Sequence, residues 1–201
     1  VLMIRKILII GPITDSGGRE VECRMIAHAL HTKFSVSILS TAYLTSKSQA
    51  VENGLAKYNS VYRILFQNSL WVKLMCYLAW IKNGFKLKPY AYSGNKIVKK
   101  SIDTKKSIEK IIEYALTDND IICFLGQLTS NHAAFIVKAS KEKCKPIVFR
   151  TTGFIPYDFE IPQWAIDVTL FVYHSLRNPS NKLLERNSSY AILDQTANEE
   201  S

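Results

Sequence analysis

Short apolar runs recur along the chain, separated by stretches whose apolar residues fall three and four apart. Ile7 to Ile10 form the first run, stopped by Gly11-Pro12. With Lys6 they predict a strand over 6–10, and similar runs predict strands over 36–39, 61–66, 120–125, 147–150, 168–173 and 190–193. Runs with little alternation are expected of strands covered on both faces, as in a parallel sheet. Helical spacing appears over 18–30, where Val21, Met25, Ala29 and Leu30 share a face. It returns over 70–81, over 97–116 with Ile108, Ile111, Ile112 and Ala115, and over 130–141. The polar stretch 45–59 reads as a loop with a helical turn, and 84–95, holding Pro89, Tyr90, Tyr92 and Gly94, as an irregular connection.

Strands alternating with helices in this rhythm predict an α/β protein with a Rossmann-like, doubly wound parallel sheet. Ligands of such sheets sit beyond the carboxyl ends of the strands. Three of those ends carry turn-forming or polar residues: 11–19, Gly126-Gln127, and Arg150-Thr151-Thr152-Gly153. A cleft is expected where they converge.

The 201 residues, 47% hydrophobic and 21% charged, suit an ordinary globular core. No run reaches the roughly 18 to 20 apolar residues of a bilayer span, and the first run is shorter than the about 7 to 15 of a secretory signal. The expected location is therefore cytoplasmic. Cys23, Cys76, Cys123 and Cys144 lie far apart with no C-x-x-C pair, which points to reduced, buried thiols rather than a zinc site or disulfide framework.

Charge adds one feature. Of the net +9, a net of +7 falls between Lys82 and Lys110, where nine lysines meet only Asp103 and Glu109. Such a patch suits an anionic partner. Nucleic acid is disfavoured, because arginines interleaved with aromatics in a known module are missing. The segment 70–81, "LWVKLMCYLAWI", precedes the patch and carries Trp71, Tyr77 and Trp80 with Lys73 as its one charge. Burial against the sheet is one reading of it. Docking to the anionic inner face of a membrane, helped by Lys99, Lys100, Lys105 and Lys106, is the other.

The loop after the first run, holding Asp15-Ser16-Gly17-Gly18, meets neither common phosphate-binding pattern. A P-loop has four residues between its glycines and then Lys-Ser/Thr, whereas residues 11 to 16 read G-P-I-T-D-S and Gly17-Gly18-Arg19 follows. The G-x-G-x-x-G fingerprint fails too. Two small residues before a helix still let backbone approach a ligand, and the helix start offers unpaired N–H groups to an anion. A plain tight turn is the alternative.

"KILIIGPITDSGGREVECRMIAHAL" followed by "FSVSILST" resembles the start of retaining GT-B glycosyltransferases of the glycosyltransferase-4 type, with Gly17-Gly18-Arg19-Glu20 at the Gly-Gly-x-Glu loop. "DIICFLG", "KPIVFRTTG" and "AIDVTLFVYHS" continue the likeness in serial order over most of the chain. The resemblance implies residues 1–185 as the N-terminal, acceptor-side half of a GT-B fold, and 186–201 as a segment leading toward a C-terminal donor-binding domain that the chain lacks. It implies transfer from a nucleotide-sugar donor to a saccharide or lipid-linked acceptor in glycan or polysaccharide biosynthesis, without metal or cofactor. Gly17 and Gly18 would lie near the donor phosphates, and Gln127, Arg150, Thr151 and Thr152 on the acceptor side. The chain alone is expected to be inactive.

Members often carry histidines before the glycines at two later strand ends, where this chain has Leu125 before Gly126 and Thr152 before Gly153. No catalytic residue is therefore assigned to His28, His31, His132 or His174. A non-catalytic Rossmann-like module that binds a nucleotide or a partner remains the alternative.

Overall fold

A computed structural model describes residues 5–14, 17–42, 57–94, 98, 104–127, 129–151, 169–174 and 190–194. Seven strands form one sheet: β1 (Lys6–Gly11), β2 (Ser35–Ser40), β3 (Lys57–Ser60), β4 (Ile121–Gly126), β5 (Ile147–Thr151), β6 (Thr169–His174) and β7 (Tyr190–Asp194). Their order is β3-β2-β1-β4-β5-β6-β7, and every neighbouring pair is parallel. This is the doubly wound, Rossmann-like α/β arrangement, with its reversal of direction between β1 and β4. β7 lies within 186–201, so the sheet continues past residue 185.

The apolar runs explain the two covered faces. In β1 every residue after Lys6 is buried. Ile9 joins Ile38 and Leu125 beneath α1 (Gly18–Leu30), which contributes Cys23 and Ala27. Leu8 and Ile10 point the other way, with Leu39, Ile122, Phe124 and Phe149, toward the remaining helices. Phe124 and Phe149 stack there at 4.5 Å between ring centroids. Each fully buried side chain of this size contributes about 1.5–3 kcal/mol, so the central strands are fixed chiefly by hydrophobic burial.

On that second face lie α2 (Val61–Asn68), α3 (Leu70–Lys82), a 3-10 helix (Pro89–Gly94), α4 (Thr104–Thr117) and α5 (Ala133–Glu142). Ile108, Ile112 and Leu116 are buried one turn apart along α4, as the spacing predicts.

The strand expected over 61–66 is a helix. The strand instead occupies the four preceding residues and pairs with β2 from Ser37 to Ser40. Ser60 decides the boundary: its hydroxyl accepts the Tyr62 N–H at 3.3 Å, capping α2, and donates to the Ala42 carbonyl at 3.0 Å. Val61 and Leu65, four apart, are buried. A six-residue apolar stretch is ambiguous by periodicity, and the cap resolves it. Ser69 repeats the device, accepting the Val72 N–H at 3.3 Å at the start of α3, and the two helices diverge by 109°.

Of the loop expected over 45–59, residues 57–59 are strand in β3, while 45–56, the start of the helix expected from 97, and Thr152, Gly153, Lys96, Lys99 and Lys100 lie outside the described residues.

Candidate functional site at the reversal of the sheet

β1 and β4 come close together where they end. A Cβ on Gly11 would overlap the Leu125 carbonyl oxygen, so only glycine allows this approach. The Gly11 carbonyl then accepts N–H groups from both Ile13 and Thr41, each at 2.8 Å, tying the ends of β1 and β2 together. Ser40, fully buried, donates its hydroxyl to the Ile13 carbonyl and reinforces the same junction.

Above these ends opens a cleft of about 730 Å³. Pro12 and Arg19 wall it from the β1–α1 connection, Thr41 and Ala42 from the end of β2, and Gln127 to Asn131 (without residue 128) from the end of β4. Tyr62 at the start of α2, with Leu87, Ala91 and Tyr92, closes the remaining side. The Arg19 guanidinium is steadied by donating to the Pro12 carbonyl at 3.3 Å. Burial pushes the Tyr62 phenol above its ordinary pKa and keeps it protonated. Among the described residues that line it, the cleft presents one cation, several hydroxyls and amides, and no carboxylate or imidazole. Such a lining suits a ligand rich in hydroxyls or carrying negative charge.

The glycine pair stands beside Arg19. Gly17 precedes α1 with φ 123° and ψ −178°, a region of backbone space that side chains other than glycine's essentially never enter. Among the described residues the N-cap Gly17 makes no side-chain cap, a Cβ on either Gly17 or Gly18 would meet nothing within 4 Å, and the first turn also carries the buried Glu20. The helix start, with its positive dipole end, is therefore open to an incoming group.

Of the residues singled out by sequence, Gln127 lines the cleft, its N–H donating to the Ser130 hydroxyl at 2.8 Å. Thr151 ends β5 opposite Gly126, and Thr152 lies outside the described residues. Arg150 sits elsewhere. Its Nε lies 2.7 Å from Glu22 Oε1 of α1, both side chains largely covered, and it is not among the cleft-lining residues. His28 and His31 stack on one another at the exposed end of α1, and His174 ends β6. His132 begins α5 with φ 66°, next to cleft-lining Asn131.

The four cysteines are free thiols. Burial pushes Cys23 up to about 12, helped by Cys123, Glu20 and Glu22. It pushes Cys123 up to about 11, with Glu22 adding and Arg150 opposing, and Cys76 to about 11. Neutral thiols of this kind are poor nucleophiles and poor metal ligands. Cys144, expected to be buried, is exposed.

Thr41 was not singled out from the sequence. It is 6% exposed, lines the cleft, and its hydroxyl has no hydrogen-bond partner among the described residues. A buried hydroxyl left unpaired costs about 1–3 kcal/mol, and one on a cleft wall is placed to meet a ligand. Thr41→Val is thus expected to raise stability by about 1 kcal/mol in urea denaturation while weakening ligand binding. A loss of stability would mean that the hydroxyl is satisfied within the fold.

Comparison of the chain with family models, with curated proteins and with solved structures finds no match. The class is thus given by the fold: a Rossmann-like α/β protein with an open cleft at the reversal of its sheet.

Proposed function

We propose that this chain is the acceptor-side domain of a retaining glycosyltransferase, working with a donor-binding domain that faces its cleft. The observation that carries the reading is the glycine start of α1, with Gly17, Gly18 and Arg19 beside a hydroxyl- and amide-lined cleft at the reversal of the sheet. In this arrangement the sugar–diphosphate bond breaks as the acceptor hydroxyl bonds to the sugar carbon from the same face, and the hydroxyl's proton passes to the departing phosphate oxygen. The α1 dipole and Arg19 stabilise the charge gathering on the departing diphosphate. Gln127, Ser130, Asn131 and Thr41 offer donors and acceptors to the acceptor's hydroxyls.

A second reading, nucleotide binding without transfer, is favoured by the absence of carboxylate and imidazole among the described lining residues. A base supplied by the facing domain would remove that objection.

Calorimetric titration with nucleotide-sugars, combined with a transfer assay on lipid-linked acceptors, tests the proposal. Gly18→Ala places a methyl in open space. Its stability should therefore stay within about 0.5 kcal/mol of the parent, whereas nucleotide-sugar affinity should fall by roughly tenfold or more, the loss expected when backbone donors are screened from an anion. The affinities are compared with the donor-binding domain present, and the chain alone should transfer negligibly. Robust turnover by the chain alone would overturn the two-domain reading, and unchanged affinity in Gly18→Ala would remove the start of α1 from the site.

A further inference from the structure

Helix α3 is apolar on two sides, and the fold uses only one of them. Val72, Cys76 and Ala79 are buried against the second-face core. On the other side Leu70, Trp71, Leu74, Leu78 and Ile81 stand 49–82% exposed, and Phe85 continues the surface beyond the helix. Residues 71, 74, 78 and 81 follow helical spacing, so they form one stripe rather than scattered exposures. Isolated exposed apolar residues are ordinary, but a contiguous stripe marks a surface that meets something apolar.

We propose that this stripe rests in the interface of an anionic lipid bilayer. The length fits: thirteen helical residues span about 20 Å, too short to cross a bilayer and enough to lie along one. No single helix among the described residues is long and apolar enough to cross a membrane. Trp71 and Tyr77 supply amphipathic rings of the kind that settle at the headgroup level.

Charge selects the partner. Residues 53–102 contain no aspartate or glutamate. Lys82, Lys86 and Lys88, all exposed, follow directly on the apolar stripe. A second copy of the chain docked symmetrically on this face would bring the same lysines together and repel. Anionic headgroups bordering an apolar interior complement both features at once.

The stripe also leads to the cleft. Leu87 is 53% exposed and at the same time lines the cleft wall. A bilayer contacting Phe85 and Leu87 therefore reaches the cleft mouth, and a substrate anchored by an apolar tail could enter without leaving the lipid. Docking itself does not depend on the transferase reading.

Co-sedimentation of the chain with vesicles tests the proposal. Vesicles of mixed phosphatidylglycerol and phosphatidylcholine should bind the chain, with blue-shifted emission that is diminished in Trp71→Phe. Vesicles of phosphatidylcholine alone should not, and added salt should release the protein. The triple variant Lys82→Gln/Lys86→Gln/Lys88→Gln should lower affinity on the order of 100-fold, from the usual contribution of each cation near an anionic surface. Trp71→Ser/Leu78→Ser, which alters only exposed side chains, should abolish binding while circular dichroism stays unchanged. Binding indifferent to lipid charge, no binding at all, or anionic binding that survives loss of Trp71 and Leu78 would each overturn the proposal. So would a concentration-dependent dimer dispersed by Trp71→Ser/Leu78→Ser, which would make the stripe a protein interface.

Discussion

Gly11→Ala should destabilise the protein by about 3 kcal/mol or more, a large part of the 5–15 kcal/mol that holds a typical domain together. The added Cβ would overlap the Leu125 carbonyl oxygen. That oxygen belongs to β4, which pairs with β1 on one side and β5 on the other, so it cannot move aside without opening the sheet at its centre. Gly126→Ala is the informative control. There a Cβ would meet Phe124 Cε1 at 2.8 Å and Pro12 Cδ and Ser130 Oγ at 3.0 Å, all side-chain atoms. Side chains yield where a hydrogen-bonded strand does not, so this variant should lose about 1–3 kcal/mol, the usual range for overpacking. Chemical denaturation followed by circular dichroism gives both values, and for a chain of this length each kcal/mol lowers the melting midpoint by roughly 2–4 °C. Equal losses at the two positions would mean that β1 and β4 part easily, and that the cleft lacks a rigid floor.

How much of this was legible beforehand differs by element. β1, β2, β4 and β5 were readable because strands buried on both faces have little alternation, and their segments matched the expectation to within a residue or two. The switch from strand to helix at 61 was not, since the deciding group is one hydroxyl, Ser60, and not the apolar pattern. The cleft was anticipated at the right end of the sheet. Its lining was only partly anticipated, because it is assembled from connections far apart in sequence. Thr41 did carry a signal, being a polar residue immediately after a strand end, where ligands of such sheets bind. The apolar composition of 70–81 showed that the helix would seek cover without showing that only one side would find it.

Arg150 shows most plainly what a strand-end pattern leaves undetermined. From the sequence it is a polar residue closing an apolar strand, which equally describes a cleft residue and a face residue. Alternation along β5 decides: Phe149 is buried in the second-face core, so the next residue faces α1, where Glu22 stands. The pair is 18% and 25% exposed with 2.7 Å between Nε and Oε1, covered enough for loss of one member to leave a poorly hydrated charge. Removing one partner of a fully buried pair costs about 3–5 kcal/mol, and exposed pairs contribute at most about 1 kcal/mol. For this intermediate case Arg150→Ala should cost about 2 kcal/mol. Glu22→Gln should cost less, because the isosteric amide oxygen can still accept the Arg150 Nε–H although the ion pair is lost. The double variant Arg150→Met/Glu22→Leu should recover most of the loss, since apolar groups of similar volume replace the pair without a desolvation cost. Urea titrations of the parent, Arg150→Met, Glu22→Leu and the double variant close a cycle that measures the coupling directly, and a coupling of about 1 kcal/mol or more is expected. Should Arg150→Ala keep full stability and instead weaken acceptor binding, the arginine would belong to the cleft after all, and the Glu22 contact would be incidental to folding.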